Sequence, residues 1–169
     1  MHVLCQEQGG YWYQTVADQL PWHPRPARPA TWWEGGLAGT GRFGQGFSYD
    51  ATITSGLGLE DGEYKIRDGR QKVAKAKADA LAYTGRLKYT GIAGLELAVT
   101  AQYQEDLYQD TLPDTIDATL LEAHAAWQLG DFALRALYAR WDIDEAINAI
   151  KLGADEQTGW YLEPSWRIN

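Results

Sequence analysis

Ten residues, Leu95 to Gln104 (LELAVTAQYQ), alternate without a break. Leu95, Leu97, Val99, Ala101 and Tyr103 fall on one face, and Glu96, Ala98, Thr100, Gln102 and Gln104 on the other. Side chains point to opposite sides of a strand in turn, so period two with one apolar side predicts a β-strand whose faces meet different surroundings. The preceding stretch, Leu81 to Thr90, repeats the pattern: Leu81, Tyr83, Leu87 and Tyr89 oppose Thr84, Arg86, Lys88 and Thr90. Gly91-Ile92-Ala93-Gly94 joins the two as a hairpin connection.

The unit recurs from Thr31 onward. Thr31 to Phe43 leads through Gly44-Gln45-Gly46 into Phe47 to Leu57; Asp117 to Gln128 leads through a Gly130-Asp131 turn into Phe132 to Asp142; Gly159 to Asn169 follows. This predicts about seven strands of roughly ten residues, the length a tilted strand needs to cross a bilayer. Short connections at 44–46, 91–94 and 129–131 alternate with long ones at about 58–79, 105–116 and 143–158, as in outer-membrane barrels with short turns at one end and long loops at the other. The expected fold class is therefore all-β: an antiparallel up-and-down transmembrane β-barrel segment, an incomplete barrel.

A soluble meander such as a lipocalin-like barrel binding a small apolar ligand can alternate too. In such a barrel the apolar stripes close a core, whereas a wide channel faces polar groups to a wet lumen. The charged members of the polar face (Asp50, Arg86, Lys88, Glu96, Glu122, His124, Arg135 and Arg167) favour the channel. A third reading takes an eight-stranded barrel with Tyr11 to Leu20 as the missing strand, but that stretch alternates weakly.

Composition agrees. The chain has 8 Trp and 10 Tyr against 3 Phe, at a mean hydropathy of −0.43. Amphipathic rings favour membrane–water interfaces: Trp32, Trp33, Tyr89, Trp127 and Trp166 fall near turns or strand ends, and Tyr83, Tyr103, Tyr138, Trp141 and Trp160 near long loops. A net charge of −8 argues against a nucleic-acid partner. Cys5 is the one cysteine, so a disulfide within the chain is excluded. Residues 1–29 differ from the rest: MHVLCQEQGG lacks the features of a secretory signal, and LPWHPRPARP carries four of the six prolines. We expect 1–29 to be an irregular, atypical segment and 30–169 to be the barrel segment.

The runs TWWEGGLAGTGRFGQGFSYD, YKIRDGRQKVAKAKADALAYTGRLKYTG, LEAHAAWQLGDFALRALYARWDID and GADEQTGWYLEPSWRIN resemble Gram-negative outer-membrane porins of the phosphate-selective porin O and P family, over about residues 30–169. The resemblance implies a sixteen-stranded barrel, a homotrimer for full-length members, a bacterial outer-membrane location, and basic residues lining an anion path. Seven strands and a terminal Arg167-Ile168-Asn169 imply a fragment of such a barrel.

Candidate pore-lining or anion-binding residues are Arg86, Lys88, Arg135 and Arg167, because fixed charges along a pore set ion selectivity. Glu96, Glu122 and Glu163 share their face. A second basic set, Lys65, Arg67, Arg70, Lys72, Lys75 and Lys77, occupies the 58–79 connection. It would form a constriction if folded inward, or a solvated outer loop, the expected arrangement for a charge run. No GxGxxG or Walker spacing, no metal-ligand spacing among His2, His23, His124 and Cys5, and no GxSxG setting for Ser48, Ser55 or Ser165 occurs. The chain is thus expected to be no enzyme and to need no cofactor or metal. Its expected role is part of a passive diffusion channel for small hydrophilic solutes, with anions such as phosphate suggested by the resemblance, and its expected partner is outer-membrane lipid.

Overall fold

The computed structural model describes residues 4–7, 33–60, 69, 71, 73–110, 113, 115–143 and 155–167. They form one antiparallel sheet in sequence order: β1 (Leu4–Glu7), β2 (Trp33–Phe43), β3 (Phe47–Thr54), β4 (Ala82–Tyr89), β5 (Leu95–Gln104), β6 (Ala118–Leu129), β7 (Phe132–Ile143) and β8 (Glu156–Trp166). A 3-10 turn, Val73–Lys75, interrupts the connection from β3 to β4. The all-β, up-and-down architecture agrees with the alternation. Among the described residues no pairing joins β8 to β1, so the sheet they form does not close.

One expectation needs correction. The N-terminal segment, read as irregular, contributes a strand: Leu4 to Glu7 pair with Gly36 to Trp33. A four-residue strand is too short to give a period-two signal, and the ladder bonds to β2 select it. Tyr11 to Leu20, the weak candidate for an extra strand, lies outside the described residues.

Pairing register fixes which residues share a face. Asp50 stands opposite Arg86, Arg86 opposite Thr100, and Thr100 opposite Glu122. Tyr49, Leu87, Val99, Ala123 and Tyr138 form the parallel row on the other side. The hairpins hold this register. Gly44 and Gly46 both take positive φ in the β2–β3 turn, a conformation glycine reaches at no steric cost.

Burial separates the faces in an unusual sense. The apolar face is the open one: Val99 is 54% exposed, while its neighbour Thr100 is 7% exposed. On β3, Phe47, Tyr49, Ala51 and Ile53 are exposed, whereas Ser48 and Asp50 are half-buried and Thr52 and Thr54 buried. The polar side is sheltered, as the inside of a curved wall would be.

Candidate channel wall

The outward apolar residues form a belt. On β3, β4, β7 and β8 its bounding residues are six apart: Phe47 and Ile53, Tyr83 and Tyr89, Phe132 and Tyr138, Trp160 and Trp166. Most are aromatic, and Tyr83, Tyr138, Trp160 and Trp166 are well exposed. Beyond the belt on β7 and β8, the outward positions turn charged. Arg140 donates to both carboxylate oxygens of Asp142 (2.8 and 3.0 Å from Nε) and lies 3.3 Å from Glu156.

The belt runs obliquely to the strands. Its loop-side boundary sits at Tyr83 and Tyr103 on β4 and β5. The register carries Tyr103 through Thr119 to Asp142, yet the boundary on β7 is Tyr138, four residues nearer the turns. The turn-side boundary slips equally, from the row of Phe47, Tyr89 and Leu97, which continues to Leu162, down to Trp166. At about 3.3 Å per residue and about 4.8 Å per strand, this is a slip of about 13 Å over about 10 Å on the loop side and about 14 Å on the turn side. Strands that cross a flat apolar slab at a tilt, as in membrane barrels, give a slip of this sense.

The sheltered face carries the charges, and they are paired. Arg86 donates from Nε to Asp50 Oδ2 at 2.6 Å, and its Nη2 donates to the same oxygen. Lys88 Nζ lies 3.4 Å from Glu96 Oε2. His124 joins Glu96 (3.4 Å) to Glu122 (2.7 Å) through its two ring nitrogens. Arg135 stands opposite Glu163 in the β7–β8 register. Near the turn end, Glu96, Ala126, Gln128, Ala133 and Arg135 line a concavity of about 480 Å³.

Three of the four sequence candidates, Arg86, Lys88 and Arg135, therefore lie on one sheltered wall with acidic neighbours. Arg167 is exposed just past β8, where its backbone N–H donates to Asp131 O at 2.8 Å. Of the loop set, Lys75 and Lys77 are exposed; Lys65, Arg67, Arg70 and Lys72 lie outside the described residues.

At the long-loop end the wall carries a cap that sequence reasoning did not find. Leu57, Leu59, Leu107, Tyr108 and Ile116, all in connections, are buried with Ala118 and Ile143. Trp141, taken from sequence as part of the outer aromatic belt, packs against this cluster, because its register with Leu120 places it on the sheltered face. Two glutamines knit the loops to the wall. Gln104 Oε1 accepts from Leu57 N (2.8 Å), and its Nε2 donates to Leu57 O and Asp106 O (both 2.7 Å). Gln109 donates to Leu57 O (2.7 Å), Ala80 O (2.9 Å) and Ser55 O (3.2 Å), and accepts from Ala80 N (3.0 Å). The Asp106 carboxylate accepts from the backbone of Tyr108, Asp110 and Ile116. The available signals were the apolar residues inside loops and a glutamine ending a polar stripe. Buried amides must be satisfied, so these side chains fix the loop path.

No family model matches the chain, and no solved structure matches it. Among curated proteins, an uncharacterized protein of Aquifex aeolicus (strain VF5) is 28% identical over 129 residues, covering 73% of this chain and 27% of that protein. The chain spans about a quarter of the length of that relative.

Proposed function

We propose that the chain forms part of the wall of an outer-membrane porin-type barrel through which small hydrophilic solutes diffuse. One observation carries the reading: the apolar stripes face out and the charged stripes face the sheltered side. A soluble lipocalin-like barrel needs the reverse, because its apolar ligand sits against an apolar interior. The oblique belt supports a membrane slab as the outer environment, and the cap narrows one end of the lumen. On this wall each of Arg86, Lys88 and Arg135 has an acidic neighbour. Passage of anions such as phosphate, and trimer assembly, therefore rest on the porin O and P resemblance alone. The role is a conduit, with no catalysis.

Planar-bilayer recording tests it. An open sheet leaves strand edges that lipid cannot satisfy, so the lone 169-residue chain should give no regular unitary steps. Assemblies in which the edges are joined should conduct. Thr84→Arg, which projects into the lumen, should lower that conductance, and Leu87→Val on the lipid side should leave it unchanged. Regular steps from a monomer, or no conductance from closed assemblies, would sink the proposal.

A further inference from the structure

We propose that His124 is a proton-operated switch on the sheltered wall, its ring proton deciding whether the turn-end half of that wall is neutral or repels anions, an inference that rests on the channel-wall reading. His124 stands between two carboxylates. Nδ1 lies 2.7 Å from Glu122 Oε1, and Nε2 lies 3.4 Å from Glu96 Oε1. A neutral imidazole has one N–H and one lone pair, so it donates to only one of them, whereas the imidazolium donates to both.

The surroundings decide which contact each form keeps. The Glu122 side chain is 8% exposed, and its Oε2 has no hydrogen-bond partner among the described residues, which leaves His124 as the donor it depends on. The Glu96 side chain is 40% exposed, and its Oε2 lies 3.4 Å from Lys88 Nζ. Loss of the proton therefore leaves the Nδ1–H on Glu122 and turns the Nε2 lone pair toward Glu96. That carboxylate is repelled, and the concavity of about 480 Å³ that it lines with Ala126 and Arg135 gives it room to move.

The neighbours set the charge balance. On β5, Ala98 faces His124, flanked by Glu96 and Thr100, with Lys88 and Arg86 beyond on β4. On β7, Leu137 faces it, flanked by Arg135 and Ala139, with Glu163 beyond Arg135 on β8. Asp50 engages Arg86. With the imidazolium, Lys88, His124 and Arg135 offset Glu96, Glu122 and Glu163; with the neutral ring, one negative charge is left over. Fixed charges along a pore set which ions it favours. Raising the pH through the histidine range, roughly pH 5 to 8, should therefore tilt this wall toward cations.

A nitroxide at Ala126, in the whole chain carrying Cys5→Ser, reads the local potential in detergent micelles. Ala126 is the next inward position after His124, about 7 Å along β6. Its collision rates with a cationic and an anionic relaxation agent are compared across pH, while ¹⁵N-labelled histidine reports the ring proton by NMR. The ratio of cationic to anionic collisions should rise about twofold as the ring loses its proton in about 0.1 M salt. His124→Gln should abolish the rise, and His2→Gln with His23→Gln should preserve it. A ratio that stays flat while the His124 ring titrates in the otherwise unchanged wall would overturn the switch, as would a rise that survives His124→Gln. A label shielded from both agents at every pH would overturn the channel-wall reading itself.

Discussion

Replacing Gln104 with alanine should release the cap while leaving the wall intact. Gln104 is fully buried. Its loss strands the Leu57 N–H, which has bonded to Oε1 at 2.8 Å, and the Asp106 carbonyl, which accepts from Nε2 at 2.7 Å. The Leu57 carbonyl keeps a donor, because Gln109 Nε2 lies 2.7 Å away. Each stranded buried group costs about 1–3 kcal/mol, so the pair should cost the cap about 2–6 kcal/mol. At about 1.4 kcal/mol per factor of ten, protection from amide exchange in the loops should fall at least roughly 30-fold, and up to roughly 20,000-fold. The informative amides are Leu59 and Leu107. Their backbone bonds, to Leu107 O (2.7 Å) and Ile116 O (2.8 Å), are chemically untouched by the substitution. Hydrogen exchange read by mass spectrometry in detergent micelles should show their protection collapse while the β4–β5 ladder stays slow. Unchanged exchange at Leu59 and Leu107 would refute the assignment of Gln104 as the tie between loop and wall.

Two other substitutions probe the same architecture. Gly56 takes φ +72°, and a Cβ there would meet Gln104 Oε1 at 2.7 Å and Ala80 O at 3.0 Å; Gly56→Ala should cost about 1–3 kcal/mol in urea unfolding, whereas Gly85→Ala, in open space, should cost nothing measurable. Leu87 and Thr84 lie on opposite faces of β4. Leu87→Arg places a charge in the lipid belt and should cost about 2–4 kcal/mol of folding into vesicles, while Thr84→Arg faces the wet side and should cost far less; the opposite ranking would mean the faces are misassigned.

Much of the wall was legible because one residue per step carries one bit of information. Val99 and Thr100 differ in polarity, the strand turns each to its own side, and register then extends the choice across the sheet. The direction of the faces was also legible, since Arg86, Glu96, Glu122 and His124 on a single stripe are too polar for a small closed core. The pairings Arg86–Asp50 and His124–Glu122 required the register, which no single strand encodes. The cap was illegible for a different reason. Its path from Thr54 to Ala82 and from Gln104 to Ala118 depends on side chains 47 to 54 residues apart in sequence (Leu57 with Gln104, Ser55 with Gln109), and loop closure over such spans leaves no local pattern. Trp141 was misplaced because position near a loop was used where parity along β7 decides the face.

In the proposed channel wall, apolar residues face lipid and polar residues face water. Spin labels placed singly along β5, from Leu97 to Gln102 in a Cys5→Ser background, test it in vesicles through collision with oxygen, which partitions into lipid, and with a water-soluble nickel chelate. A lipid-facing apolar stripe gives period two, with Leu97, Val99 and Ala101 oxygen-accessible and Ala98, Thr100 and Gln102 the positions where the nickel reagent is relatively favoured. Leu97, Val99 and Ala101 shielded from both reagents, with the even positions open to water, would contradict it and restore a soluble barrel with an apolar core.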